Sequence, residues 1–189
     1  AMSAGTMIAC SCNEIIMGKQ SSLGPIDPQF KGIPAHGVVE EFIRAHTEIR
    51  ADPSKAAVWQ PIIAKYNPTL IGECEKAIDW SNQMVKEWLL SGMLSGIDEA
   101  EAKADTIIEE LGNHSLNKSH ARHLSAEKCN SIGLNVSKLE TDPKIQDTVL
   151  SIHHACIHTL TSTNAFKIIE NHNGIAFIQS EQQVIIQRA

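Results

Sequence analysis

The chain has 189 residues, 42% of them hydrophobic, which is enough for one domain with a substantial core. Its net charge is −6 and its 16 Lys and Arg residues form no dense patch, which argues against a nucleic-acid binder. No apolar run reaches the ~20 residues of a membrane helix, and the first residues lack the basic and apolar regions of a signal peptide.

The cysteines indicate a reducing compartment. Their number is odd, and no CxxC pair is present, so neither a disulfide framework nor a zinc knuckle is expected. We therefore predict reduced thiols in a cytoplasmic protein. The five cysteines are Cys10, Cys12, Cys74, Cys129 and Cys156.

The first third of the chain predicts two helices around a strand and a turn. Small and apolar residues over 3–11 predict a short helix, and EIIMG at 14–18 predicts a buried strand. The segment LGPIDPQ at 23–29 cannot be helical, because its two prolines fix φ and its glycine loosens the chain. We expect an extended segment and turn there, with a helix beginning after Pro34.

The middle of the chain predicts only helices. In DPSKAAVWQPIIAKY, Asp52 is placed to cap a helix and Pro53 takes its first position. Apolar residues recur along one face of 69–94, which predicts a long amphipathic helix. A further helix is predicted over 97–112, with its Glu and Lys residues forming a solvated face.

The last third predicts a mixture of elements. A short helix over 125–133 is followed by a strand in LNVSKLE and a helix over 143–163. The Asn-Gly within HNG at 172–174 predicts a hairpin between AFKIIEN and GIAFIQS. The pattern predicts an α/β protein with a helix-rich C-terminal half, and with few strands for so much helix.

Ser3 is the candidate nucleophile. A nucleophilic serine stands on a sharp turn into a helix, among small residues that let the substrate approach, and here Ala1, Ala4 and Gly5 are small. The N–H groups at the start of the following helix can stabilise an oxyanion. The alternative is that Ser3 is an ordinary helix N-cap.

Several segments together resemble one family. AMSAGTMIA, NEIIMGKQSSLGPIDPQ and GIPAHGVVEEF, followed by KSHARHLSAEKCNSIGLNV and LETDPKIQDTVLSIHHACIHT, resemble the serine dehydrogenase proteinase family. These are prokaryotic serine peptidases with a Clp-protease-like fold, related to signal peptide peptidase A. The resemblance implies one crotonase-like domain of β-β-α units over 1–189, and its most specific motif is LGPIDPQ.

The resemblance also implies that the N-terminal part of the domain is missing. In the family the nucleophile turn comes well into the domain, after several strands and a Gly-Gly segment. We therefore expect a truncated chain that is inactive alone. Of the oxyanion hole, the N–H of Ala4 would remain, with Gly5 allowing close approach.

Three residues compete for the roles around Ser3. Clp protease has a histidine shortly after its nucleophile, but the matching GPIDPQ offers Asp27, an orienting or turn-forming carboxylate. Signal peptide peptidases use a lysine base several tens of residues after the nucleophile, and Lys55 stands at a comparable separation from Ser3. A lysine can act as a base only if desolvation lowers its pKa towards neutrality. His120 in KSHARH is the third candidate, since histidine has the pKa of a general base. A surface lysine and a loop histidine are the alternatives.

No metal or other cofactor is expected. His154 and His158 share a helix face, but a zinc site needs further ligands and HExxH is absent.

Two functions follow from these observations. The first is a serine peptidase that forms an acyl-enzyme on Ser3, and the second is a non-catalytic Clp-fold scaffold or oligomerisation module. The resemblance implies a peptide or protein substrate and a homo-oligomer, with the helix over 69–94 as a candidate contact. Membrane association is expected only through an anchor in the missing N-terminal region.

Overall fold

The computed structural model describes residues 1–30, 32–112 and 123–181. Within these ranges the α-helices are α1 (Ala4–Cys10), α2 (Ala35–Ala51), α3 (Ala56–Ile63), α4 (Leu70–Ser91), α5 (Ala100–Gly112), α6 (Ala126–Ser131) and α7 (Pro143–Ser162). The strands are β1 (Ile15–Met17), β2 (Gln29–Phe30), β3 (Ile33–Pro34), β4 (Val136–Lys138), β5 (Ala165–Glu170) and β6 (Ala176–Ser180). The chain divides into two compact units, Ala1–Lys138 and Leu139–Ala189.

A parallel strand pair places the first unit in the α/β class. β1 pairs with β4, with Ile15 opposite Val136 and Met17 opposite Lys138. Ile15 and Met17 are buried while Ile16 is exposed, which is the two-residue alternation of a strand with one covered face. The strands predicted in EIIMG and LNVSKLE are therefore confirmed.

The main core of this unit lies between α4, α5 and α6. Val85 and Leu89 on α4 are fully buried, as are Ile107 and Leu111 on α5. Burying each such aliphatic side chain contributes about 1.5–3 kcal/mol. The long amphipathic helix predicted over 69–94 is confirmed as α4, which ends earlier than predicted, at Ser91 before the Gly92 C-cap.

Helix α5 begins later than predicted. The sequence predicted a helical start at 97, but α5 starts at Ala100. Gly96 and Glu99 have positive φ, and this conformation is incompatible with a right-handed helix.

A smaller core joins α2 to the start of α4. Ala35 and Val38 pack with Leu70 and Cys74, and the helix predicted after Pro34 is confirmed as α2.

Around Asp52 the prediction is correct in part. Asp52 accepts a hydrogen bond from the Ser54 N–H and caps a 3₁₀ turn, Pro53–Lys55, but the regular helix α3 starts only at Ala56. Helix α3 then ends at Ile63, soon after Pro61, whose ring carries no N–H to continue the ladder.

The second unit holds a helix and a hairpin. Asp142 caps α7 by accepting from the N–H groups of Lys144 and Ile145. Strands β5 and β6 are antiparallel, and Gly174 in the turn has a φ of 75°. Glycine adopts this φ without a steric penalty, so the predicted Asn-Gly hairpin is confirmed.

A glycine at the C-cap of α4 and a glycine inside α4 give a matched test of the packing around this helix. A Cβ on Gly92, at the C-cap, would lie 2.9 Å from the Trp88 carbonyl oxygen, whereas a Cβ on Gly72 would meet nothing within 4 Å. We expect Gly92→Ala to lower the free energy of unfolding by about 1–3 kcal/mol. Gly72→Ala should raise it by about 0.5–1 kcal/mol, because it removes backbone entropy from the unfolded chain. Urea denaturation of both variants measures this, and equal midpoints would contradict the packing described.

Candidate active site

Ser3 has a strained backbone. It immediately precedes α1 with φ 49° and ψ −117°, a conformation that non-glycine residues rarely adopt. Gly5 N–H donates to the Met2 carbonyl at 2.9 Å, and Met7 N–H donates to the Ser3 carbonyl at 3.1 Å, which closes a sharp turn. The Ser3 hydroxyl makes no capping hydrogen bond to the helix. Its side chain therefore does not play the N-cap role.

The Ser3 turn is hydrogen-bonded to the segment that follows β1. Ser3 N–H donates to the Pro25 carbonyl at 3.1 Å, and Gly24 N–H donates to the Ala1 carbonyl at 2.7 Å. Thr6, which is fully buried, donates its hydroxyl to the Gly24 carbonyl at 2.8 Å. These hydrogen bonds fix the backbone on both sides of Ser3.

The LGPIDPQ segment is extended, as predicted, and is fixed from its other side by the core. Leu23 and Leu124 exchange backbone hydrogen bonds at 3.1 and 2.8 Å. Ile26 N–H donates to the Leu111 carbonyl at the end of α5, at 3.0 Å. Residues 23–27 are all buried. The segment is thus a rigid support for the Ser3 turn.

Asp27 is brought to Ser3 through its main chain. The Ser3 hydroxyl donates to the Asp27 carbonyl oxygen at 3.2 Å. The Asp27 side chain is itself buried, with 6% of the residue exposed. The contact orients the serine side chain toward the LGPIDPQ segment.

The N–H groups at the start of α1 differ in their availability. Gly5 N–H is committed to the Met2 carbonyl, while Ala4 is exposed and, among the described residues, its N–H donates to no other group. Gly5 is also closely packed, since a Cβ there would lie 3.1 Å from the Ala1 Cβ. Ala4 N–H can therefore donate to an oxyanion, and Gly5 keeps the turn compact.

Lys55 lies in a different set of contacts. Its ammonium is 3.4 Å from a Glu48 carboxylate oxygen, and 47% of its side chain is exposed. The same carboxylate accepts from the Trp59 indole N–H and from Arg44, whose guanidinium lies 5.6 Å from the Trp59 ring centroid. Hydrogen bonding from Arg44, above all, holds the pKa of Glu48 below its usual value. In this arrangement Lys55 is solvated and paired, and its contacts are with α2 rather than with Ser3.

His120 lies outside the described residues, so its proposed role stays a prediction. Within the described ranges the Ser3 hydroxyl contacts a backbone carbonyl, and no lysine or histidine there forms a hydrogen bond with it.

The comparisons with known proteins bear directly on this turn. A family model described as ClpP-like SDH-type serine proteinase matches residues 1–156. The chain belongs to this family. Membership confirms the resemblance predicted from LGPIDPQ and its neighbours, and agrees with the α/β content.

Two curated relatives are archaeal proteins from Methanocaldococcus jannaschii. The uncharacterized protein MJ1495 is 41% identical over 66 residues, which are 32% of this chain and 23% of that protein. The uncharacterized protein MJ0137 is 38% identical over 74 residues, which are 35% of this chain and 26% of that protein. The match thus spans about a quarter of each relative's length. No solved structure matches this member of the family.

Two further features concern metals and membranes. Among the described residues, no group of three or more His, Cys, Asp or Glu side chains is placed to hold a metal ion. Of the helices in the same ranges, none combines the length and hydropathy needed to cross a bilayer.

The buried Thr6 hydroxyl gives a test of the support beneath Ser3. Thr6→Val keeps the side-chain shape but leaves the buried Gly24 carbonyl without that donor, so we expect a loss of about 1–3 kcal/mol in the free energy of unfolding. Thr106→Val is the matched control, because the Thr106 hydroxyl bonds to Ala102 on the exposed side of α5. The control should change stability by no more than about 0.5 kcal/mol. If urea denaturation showed the same loss in the free energy of unfolding for both variants, the buried Thr6 hydrogen bond would contribute no more to stability than the exposed one of Thr106.

Proposed function

We propose that this protein is a serine peptidase with Ser3 as its nucleophile. The observation that carries the proposal is the backbone of Ser3, held at φ 49° and ψ −117° while its hydroxyl leaves the helix uncapped. Backbone strain of about 1–3 kcal/mol persists where the surrounding structure enforces it, and nucleophilic serines stand on strained turns into helices. Membership of a serine proteinase family supports the same reading.

The chemistry is acyl transfer. The Ser3 Oγ attacks the carbonyl carbon of a peptide bond while a general base takes its proton. The carbonyl oxygen becomes an oxyanion that accepts from Ala4 N–H. Collapse expels the amine, which receives the proton, and water then hydrolyses the acyl-enzyme. The Asp27 carbonyl holds the Ser3 hydroxyl before this reaction.

We propose that the general base is one of two residues. His120 has the appropriate chemistry, and Lys55 matches the lysine of the signal peptide peptidases by separation. Lys55 would first have to leave Glu48 and lose its water, and its pairing at 3.4 Å makes it the weaker candidate. Asp27 is proposed as an orienting residue.

A fluorophosphonate probe tests the nucleophile and the base together, since it marks only an activated serine. In the full-length protein we expect labelling of wild type at Ser3, its loss in Ser3→Ala, and a fall of about 10²–10⁴-fold in the labelling rate of one variant, His120→Ala or Lys55→Ala. Ser131→Ala is the matched control, because Ser131 is an exposed serine at the end of α6. Labelling that survives in Ser3→Ala would contradict the assignment.

The alternative is a non-catalytic scaffold with the same fold. It is favoured by the engagement of the Ser3 hydroxyl with a backbone carbonyl and by the ion pair of Lys55. A full-length wild-type protein that is folded by circular dichroism and yet takes no label would establish the scaffold and reject the peptidase.

We propose a homo-oligomer on the family resemblance, with α4 as the contact. Trp80 supports this choice, because it lies on α4 with 64% of the residue exposed. We expect Trp80→Ala to weaken self-association about tenfold or more in sedimentation experiments, since tryptophan is a frequent anchor of interfaces. Val58→Ala, a change at another exposed apolar residue, is the control. Equal association of the two variants would place the contact elsewhere.

A further inference from the structure

An open surface cavity of about 290 Å³ is formed by the segment that follows β1 and by residues before α6, and the proposed function does not use it. Among the described residues it is lined by six with polar side chains, none of them acidic: Lys19, Gln20, Ser21, Ser22, His123 and Ser125. Ser22 connects the cavity to the turn, because its carbonyl accepts from the Ala1 nitrogen at 2.6 Å. Ser22 thus joins the cavity to Ala1, two positions before Ser3.

Ser22 and His123 form the centre of this lining. The Ser22 hydroxyl and the His123 Nδ1 are 3.0 Å apart, and the two residues are 101 positions apart in the chain. If the hydroxyl donates to Nδ1, the neutral ring carries its proton on Nε2. If Nδ1 carries the proton, the hydroxyl proton of Ser22 is available instead. The pair therefore keeps at least one donor for a ligand in every protonation state.

The flanking serines have different roles. The Ser21 hydroxyl oxygen accepts from Gly18 N–H at 3.1 Å, so its own proton remains for a ligand. Ser125 accepts from Lys128 N–H and bonds to the Glu127 carboxylate, so it shapes the wall without donating inward. Lys19 adds a positive charge to the lining. The donors and the charge together suit an anionic group.

We propose that this cavity binds a carboxylate of the peptide substrate, beside the serine that cleaves it. The inference rests on the proposed function and names its substrate class: peptides with a carboxylate a few residues from the cleaved bond. An acidic side chain and a C-terminal carboxylate share this chemistry. In a protein of net charge −6, the described residues of this lining include a lysine and no carboxylate, which favours such a group there.

Binding is measured on Ser3→Ala, so that no turnover interferes. The probes are N-acetyl-Ala-Ala-Glu-amide beside its Gln counterpart, and N-acetyl-Ala-Ala-Ala acid beside its amide. We expect a carboxylate peptide of one pair to bind about tenfold or more tightly than its neutral counterpart in calorimetry. It should also shift the imidazole NMR signals of His123 saturably. The pair that discriminates identifies the source of the carboxylate.

Substitutions locate the binding. Ser22→Ala and Lys19→Gln, each added to Ser3→Ala, should weaken the preferred peptide about tenfold. His46→Asn, at an exposed histidine of α2 that does not line the cavity, should leave the affinity unchanged. The proposal would be overturned if each carboxylate peptide bound no more tightly than its neutral counterpart. It would also be overturned if His46→Asn weakened binding as much as Ser22→Ala and Lys19→Gln, or if inorganic phosphate competed as strongly as the peptide carboxylate.

The probe labelling of the full-length wild type separates this inference from the function on which it rests. Labelling at Ser3 without a carboxylate preference would overturn the cavity's role alone. Carboxylate binding without labelling would overturn the peptidase and leave the cavity as a carboxylate site.

Discussion

The docking of residues 23–27 beneath the start of α1 is the constraint on which the candidate site depends. The buried hydrogen bond from Thr6 to the Gly24 carbonyl fixes α1 to this segment, and the bond from Ser3 N–H to Pro25 sets the serine itself. A Cβ on Gly24 would lie 2.8 Å from the Met2 Cγ, so a larger residue there would require the exposed Met2 side chain to move. The hydrogen bonds between the two segments thus fix the turn.

Magnitudes explain why the strained turn persists. A residue in a rarely populated backbone conformation costs about 1–3 kcal/mol. Each buried hydrogen bond that holds it contributes about 1 kcal/mol net, and burial of Leu23 and Ile26 adds about 1.5–3 kcal/mol each. These interactions are of the size needed to offset the strain, and Ser3 keeps its conformation without a capping bond of its own.

Local structure could be predicted from the sequence because its causes are local. Capping by Asp52, the prolines of LGPIDPQ and the Asn-Gly turn act within a few residues, and each predicted element was found. The exceptions have local causes too, since Pro61 shortens α3. By contrast, the apolar neighbours of Lys55 predicted desolvation, whereas its side chain is 47% exposed and its ammonium pairs with Glu48 of α2. Thr6 gave no sequence signal at all, because its partner stands 18 positions away in a non-helical segment.

The sequence separation of the contacts beneath Ser3 determines when the site can form during synthesis. Ile26 N–H donates to the Leu111 carbonyl, and Leu23 exchanges backbone hydrogen bonds with Leu124. Elsewhere in the same unit, the Asn135 side chain donates to the Asn13 carbonyl across 122 positions. A nascent chain emerges N-terminus first, and contacts between distant residues are slow to form. Residues 23–27 follow Ser3 by only about twenty positions, but their contacts with Leu111 and Leu124 require about a hundred further residues of chain. Until those residues have been synthesised, the segment beneath Ser3 lacks part of its support.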